Sequence, residues 1–401
     1  MRILHIEKNY PATGGVGSCI RRLTELQRQR GHEVFQFGCV GAGGPVEMPR
    51  YHDFAASRNP WLLWRMIHNS EAADKLEGFL RARDIDVAHL HNVYNHLTPS
   101  ILPVLARRRI GIVMTVHDYR LACPTKHFLR RSEVCERCLP NKFYHAAGPR
   151  CAGAGGAALG LESFIQRLLR RYFRWVDFFL CPTLYMRQVL RRLGAPASKA
   201  VVLPNVIERI PLPPDRPQSP RELLYAGRLI FEKAPELMLD LAQRLPGVSV
   251  TIAGGGVLLD GLRQDAARRG LANVTFAGDV AHGDLGRLLA RATAVVVTSR
   301  WIENSPQTML EAMAAGRCVI APDHPPLREW VDDGRTGRLF VPLDADDLAR
   351  VAAEVLAHAG AREEMARAAR ELVAVRHDEG QVMDQTESFY EEAVSRCALR
   401  W

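Results

Sequence analysis

Apolar and polar positions along the chain fall into a repeated cycle. A short apolar run is followed by a polar or glycine-rich break, and then by a longer stretch with apolar residues three and four apart. The short runs are too brief for free-standing helices and read as strands buried on both faces; the longer stretches read as helices crossing between them. Strands are predicted at residues 2–6, 32–37, 86–93, 111–118, 178–181 and 201–203, with a helix over 18–30 that ends at Gly31 as a left-handed cap. Residues 61–83 read as one or two helices. The alternation restarts at 222 and continues through strands at 248–253, 274–276, 295–298 and 318–321. Helices are expected over 284–292, from about 344 and 361, and last near 381–397. Residues 211–220 hold five prolines in ten positions and form a linker. The pattern predicts an α/β protein of two domains, 1–204 and 221–378, joined by 205–220, with 379–401 as a last helix that crosses back to the first domain.

Bulk composition narrows this picture. A chain of 401 residues that is 47% apolar is large enough for two cores. No uninterrupted apolar run reaches the roughly 18 residues of a membrane span, and Met1 opens a strand rather than a secretory leader, so a cytoplasmic protein is expected. Lys and Arg number 53 against 44 Asp and Glu, which suits an anionic partner: a nucleotide, a phospholipid surface or nucleic acid.

Candidate chemistry concentrates at residues 295–316. There the strand breaks into a loop carrying Glu303 and Asn304, and Ser305-Pro306 opens a helix that carries Glu311. Serine caps helical N–H groups, proline loses nothing at a first turn, and a helix start at a strand's carboxyl end is an anion site. Gly227-Arg228 and Lys233 place two cations near another strand end, suited to a diphosphate without Mg²⁺. Gly14-Gly15-Val16-Gly17 forms a glycine loop between strand and helix without G-x-G-x-x-G spacing, which disfavours a dinucleotide site. His89, His91, Asn92 and His96 lack a nearby carboxylate or cysteine, so metal is disfavoured there. His117-Asp118 ends another strand, where ligand groups are expected.

Residues 121–160 interrupt the pattern as an insertion holding Cys123, Cys135, Cys138 and Cys151, spaced C-x11-C-x2-C-x12-C. In a cytosolic chain such spacing favours a metal over disulfides, and a structural zinc on four thiolates is expected, with His127 and His145 as alternates for one cysteine. Leu161, Phe164, Ile165, Leu168, Leu169, Tyr172, Phe173 and Val176 recur at helical spacing with Arg167, Arg170, Arg171 and Arg174 between them. Their apolar side is expected to dock on the first core, with an anionic membrane interface as the other reading.

Glu-Asn-Ser-Pro-(x)4-Glu-Ala-Met-Ala-Ala-Gly, with the strand after it, resembles the signature of the retaining family-four glycosyltransferases of GT-B fold, two Rossmann-like domains with a cleft between them. Gly227-Arg228 with Lys233 resembles that family's Gly-Arg…Lys-Gly motif, although position 234 is alanine. The resemblance is good from about 222 to 345 and looser before; the cysteine insertion lies outside the family pattern. It implies a donor site of Gly14, Gly15, Asn205, Gly227, Arg228, Lys233, Gly254, Gly255, Glu303, Asn304, Ser305 and Glu311. His117 would lie against the donor sugar, Glu303 would hold sugar hydroxyls, Glu311 the ribose diol, and His91, Asn92 and Asp118 would stand on the acceptor side. Arg228 and Lys233 would stabilise the leaving diphosphate with no catalytic metal. It further implies a UDP- or GDP-linked sugar as donor, a sugar or lipid-linked acceptor in glycoconjugate assembly, a peripheral contact at the inner face of the membrane, and no nucleic acid. A phosphorylase, a nucleotide-sugar epimerase and a zinc-bearing binding module are the rival readings.

Overall fold

The computed structural model describes residues 1–12, 14–41, 44–51, 60–148, 151, 155–169, 171–210, 212 and 221–398. The predicted linker therefore falls largely outside the described residues, as do Arg170 and residues 149–150 and 152–154 of the insertion. The chain divides into two compact units. One comprises Met1–Arg131, Cys135–Val206 and Glu379–Trp401, and the other Ser132–Val134 and Ile207–Asp378.

The first unit is built on a six-stranded parallel sheet of β1 (Arg2–Asn9), β2 (Glu33–Cys39), β3 (Val87–Leu90), β4 (Gly111–Thr115), β5 (Phe178–Cys181) and β6 (Ala200–Val202), in the order β2-β1-β3-β4-β5-β6. Ile3, Leu4, Ile6, Val87, Ala88 and Leu90 are fully buried, which is why these runs carry no polar alternation. Each fully buried Leu or Ile contributes roughly 1.5–3 kcal/mol. The direction of strand order reverses between β1 and β3, so ligand groups are expected beyond their carboxyl ends.

The second unit repeats the plan with β7 (Glu222–Ala226), β8 (Ser249–Ala253), β9 (Val274–Gly278), β10 (Ala294–Val296), β11 (Cys318–Pro322) and β12 (Arg338–Phe340). All are parallel, in the order β9-β8-β7-β10-β11-β12. Its reversal lies between β7 and β10. Apolar clusters cover both faces: Met238, Leu241, Val351 and Ala352 with Val250 and Ile320 on one, and Met309, Leu310, Met313 and Trp330 with Leu224 and Val319 on the other.

Helix Glu379–Ala398 follows the whole second unit in sequence and belongs to the first. Met383, Tyr390, Ala393 and Cys397 are buried, and Arg22 clasps Glu379 with both guanidinium branches, at 2.7 and 2.6 Å. Gly111 makes room for it. A Cβ there would stand 2.9 Å from the Ala393 carbonyl carbon, so only glycine lets helix and strand approach so closely.

Three expectations change. The first helix spans Gly14–Gln29 and begins four residues earlier than the pattern suggests, so Gly14 and Gly15 are helical rather than an open loop. Gly14 enters with φ of +66°, and a Cβ on Gly17 would lie 2.5 Å from the Ala12 carbonyl oxygen; the glycines serve helix entry. The insertion is shorter than predicted, because a helix starts at Gly155.

The largest change concerns residues 161–176, which form two helices, Gly155–Leu168 and Arg171–Trp175, and place the longer one polar side inward. Glu162, Ser163 and Gln166 are buried, whereas Leu161, Phe164 and Leu168 are 57%, 51% and 68% exposed. Arg120 explains the inversion. Its guanidinium, 5% exposed, donates to Glu162 at 2.6 Å, to Asn95 at 3.1 Å, to Ser163 at 3.3 Å and to the Pro124 carbonyl. Once that cation is buried, the helix must present acceptors to it. Among the described residues, no helix is long and apolar enough to cross a membrane.

Candidate functional site

In the second unit, the carboxyl ends of β7 and β10 bring together the residues singled out from 227 to 311. The loop after β7 turns over Gly227-Arg228 and forms a short 3-10 turn, Phe231–Lys233, closed by Ala234 at φ of +47°. Ala234 occupies, in a left-handed conformation, the place where glycine was expected, and it is fully buried. Gly254 and Gly256 hold φ near +135° and +147°; a Cβ on either would enter the Gly227 or Leu229 carbonyl. These glycines are thus explained by two loops crossing at contact distance.

Glu303 is buried and accepts from Lys233 Nζ and, at 2.5 Å, from Ser299 Oγ. Burial by itself would raise its pKa, but Lys233 and hydrogen bonds from Ser299 and Trp301 outweigh that and hold the carboxylate below its ordinary value. The backbone is tied in the same place. Thr298 Oγ1 donates to the Lys233 carbonyl at 2.7 Å, Arg300 N to the Glu232 carbonyl at 3.0 Å, and the Arg300 guanidinium to Glu236 while stacking on Phe231. Arg228 projects from this frame into solvent.

The helix after this loop is Gln307–Ala314, with Pro306 at its N-cap and no side-chain cap. This corrects the expected role of Ser305. Its Oγ is buried and makes no hydrogen bond to the helix amides it was expected to cap. Glu311 is buried on that helix, and its pKa is raised to about 7 by burial and secondarily by Glu208. Asn304 is also buried. Gly255 packs against the Asp279 carboxylate, 2.5 Å from where a Cβ would stand.

In the first unit, the carboxyl ends of β1, β3 and β4 gather Glu7, His91, Asn92, His117 and Asp118. Asn92 N donates to Glu7 at 2.8 Å, and burial lifts Glu7 to about 7; Asn92 Oδ1 is buried without a partner. Asp118 is raised by burial and accepts from Arg120 N at 3.0 Å. His91 bridges two other rings, His117 at 2.9 Å and His5 at 3.0 Å. His5 continues to Gln27 at 2.7 Å, Gln27 to Tyr390 at 3.0 Å, Tyr390 to His89 at 2.6 Å and His89 to Thr115 at 2.7 Å.

Burial lowers all four histidines, His5 and His117 to about 4, so the rings are neutral and carry one hydrogen each. With the Gln27 amide donating to Tyr390, its oxygen accepts from His5 Nε2. Each ring then accepts at Nδ1 from the next, which leaves Nδ1 of His117 as the lone-pair nitrogen. Asn205 is buried in the segment after β6.

His5, Gln27, Tyr390, Glu7 and Ser299 escape the sequence reading. For His5 and Glu7 a signal exists, since they are polar residues inside an otherwise apolar first strand; Gln27 and Tyr390 carry none, being ordinary members of amphipathic helices.

Residues 206–372 match the model of the glycosyl transferases group 1, and residues 13–210 that of glycosyltransferase family 4. Glycogen synthase of Mycobacterium tuberculosis is 33% identical over 97% of this chain and 94% of its own length. The α-monoglucosyldiacylglycerol synthase of Streptococcus pneumoniae is 25% identical over 85% of this chain and 75% of its own. Among solved structures, sucrose-phosphate synthase of Thermosynechococcus elongatus superposes with a TM-score of 0.74 at 18% identity, covering 98% of this chain and 99% of that one. Anabaena HepE in complex with UDP and glucose gives 0.67 at 18% identity, covering 97% and 98%.

Proposed function

The chain belongs to the group 1 glycosyl transferases, enzymes of GT-B fold that move a sugar from a nucleotide donor to a hydroxyl, and from that premise we propose a retaining hexosyl transfer organised by the Lys233–Glu303 pair. Breaking the sugar–phosphate bond piles negative charge on the leaving diphosphate. Lys233, Arg228 and the amides that open helix Gln307–Ala314 meet that charge, and the Ser305 hydroxyl is available to it. Lys233 exchanges its carboxylate partner for phosphate as the donor enters. Glu303 then turns its oxygens to donor-sugar hydroxyls. Front-face substitution, with the departing phosphate taking the acceptor proton, needs no separate base. Asn92, His117 and Asp118, at the strand ends of the first unit, are assigned to sugar and acceptor, and nucleotide-sugar use places the reaction in the cytoplasm.

The observation that carries this reading is Glu311, a carboxyl buried on the helix that opens at the proposed anion site, raised to about 7 by burial and secondarily by Glu208. A ribose diol supplies two donors to such a group. Binding selects the anion, so UDP affinity should rise about tenfold between pH of about 6 and about 8. Glu311→Gln should lose that pH dependence and bind UDP about tenfold more weakly at the upper end, read by isothermal titration. Equal pH profiles for wild type and variant would remove the ribose assignment. HepE is described with UDP and with UDP-glucose, which favours a UDP-linked glucose donor for this chain as well.

For the acceptor we favour a lipid-linked hydroxyl over a free polysaccharide end. Leu161, Phe164, Leu168 and Leu169 form an exposed apolar stripe, and the chain carries a net charge of +9. That combination fits an anionic membrane face. The full-length protein should sediment with vesicles containing phosphatidylglycerol and remain in solution with neutral ones. Phe164→Asp with Leu168→Asp should abolish sedimentation while leaving the melting temperature near wild type; retention of binding by this double variant would count against the assignment.

A further inference from the structure

Outside the transfer site, a second concentration of chemistry lies in residues 123–151. Cys123 sits in the turn after Tyr119, its N–H bonded to the Tyr119 carbonyl at 2.7 Å. Cys135 N donates to the Phe128 carbonyl at 2.7 Å, and the Cys138 carbonyl accepts from Lys142 N at 2.7 Å. Cys151 N reaches the Gly148 carbonyl at 3.1 Å. Four separate turns thus bring four thiols to one cavity of about 190 Å³, lined also by Arg130, Arg137 and His145. All nine cysteines are free thiols.

We propose that Cys123, Cys135, Cys138 and Cys151 bind a structural zinc ion. Two observations support it. First, no disulfide competes for these sulfurs, and Cys135 and Cys138, two residues apart, have the spacing that closes a small chelate. Second, all four thiols, together with His145, line one cavity although they come from separate parts of the insertion. A divalent cation bound there would release the thiol protons. Four thiolates around Zn²⁺ carry a net charge of −2, which Arg130 and Arg137 face from the same cavity wall.

Among the described residues, the group whose ligand atoms lie within 4.8 Å of one another is instead His5, His89 and His91. Those rings are taken up by the hydrogen-bonded chain described above. The four sulfurs do not form such a group as they stand, so the proposed site requires them to draw together around the ion. Such a closed tetrahedral site leaves no open position for chemistry.

The insertion has reason to need such a staple. Around the buried side chains Phe128, Leu139 and Phe143 its backbone is almost wholly turns and short 3-10 structure, and segments of this kind close with a metal or a disulfide where their own core is small.

The test is metal content of the full-length protein, purified without chelator. About one zinc per chain is expected, falling below about one tenth in Cys135→Ser with Cys138→Ser. Should that variant fail to fold, exchange of wild-type protein with Co²⁺ decides instead. A near-ultraviolet thiolate-to-cobalt band with intense visible d–d bands supports the site, and pale octahedral cobalt overturns it. UDP affinity of the zinc-depleted protein should equal that of the loaded form, which separates this site from the transfer reaction. Metal-free protein that takes up neither ion, with all four thiols reactive toward a disulfide reagent, would show that the cysteines serve no metal. Retention of zinc by the double variant would likewise reject these ligands.

Discussion

Alanine at Lys233 is expected to lower kcat/KM about 30- to 1000-fold, a loss of about 2–4 kcal/mol of transition-state stabilisation. Two effects combine. The leaving diphosphate loses a fixed cation, and Glu303 loses the partner that offsets its burial. Without Lys233, burial prevails and the Glu303 carboxyl moves up. A group raised in this way is protonated at low pH and recovers its charge as pH rises, so the variant's rate at saturating donor should climb with pH across a range where that of wild type is flat. Lys233→Arg keeps the charge and should keep the flat profile. With the neutralisation proposed for Lys233 and Arg228, transfer should persist through brief EDTA treatment. A kcat/KM for Lys233→Ala within about threefold of wild type, with an unchanged pH profile, would dismiss the assigned role.

Arg120→Ala is expected to destabilise the first unit by about 3–5 kcal/mol, the usual cost of removing one member of a buried ion pair. The Arg120 guanidinium holds Glu162, Ser163, Asn95 and the Pro124 carbonyl at once, so its loss leaves the Glu162 carboxyl buried without its cation. Glu162→Gln in the same background should restore part of the loss, since a neutral amide is cheaper to bury than a carboxylate. Urea denaturation read by circular dichroism measures both. Equal stability of Arg120→Ala and wild type would mean that solvent reaches this cluster freely.

The sheet strands and the second-unit site were legible in the sequence because their signals are local. Val295 to Thr298 read as a buried strand, which the structure forms over Ala294–Val296, and Glu303, Ser305 and Glu311 follow it at fixed offsets in one loop and helix. The inverted helix was illegible for the opposite reason. Its hydrophobic periodicity is genuine, but which face turns inward is decided by Arg120, more than forty residues away from Gly155–Leu168 in part and placed against it only by the fold. Ser305 was misread because serine before proline is a capping pattern, while here the backbone enters the helix at Gln307. The histidine chain escaped because its members come from β1, β3, the end of β4 and two helices, with Gln27 and Tyr390 363 positions apart.

The return of helix Glu379–Ala398 to the first sheet carries a consequence for biosynthesis. Tyr390 closes the hydrogen-bonded chain through Gln27 and His89, and Ala393 seals against Gly111, so the first half of the protein lacks a wall until these late residues leave the ribosome. Residues 207–378 emerge earlier with their own sheet and core complete. Order of synthesis and order of maturation are therefore opposed: the unit translated first waits, with β3 and β4 uncovered on one side, while the unit translated second is already able to fold.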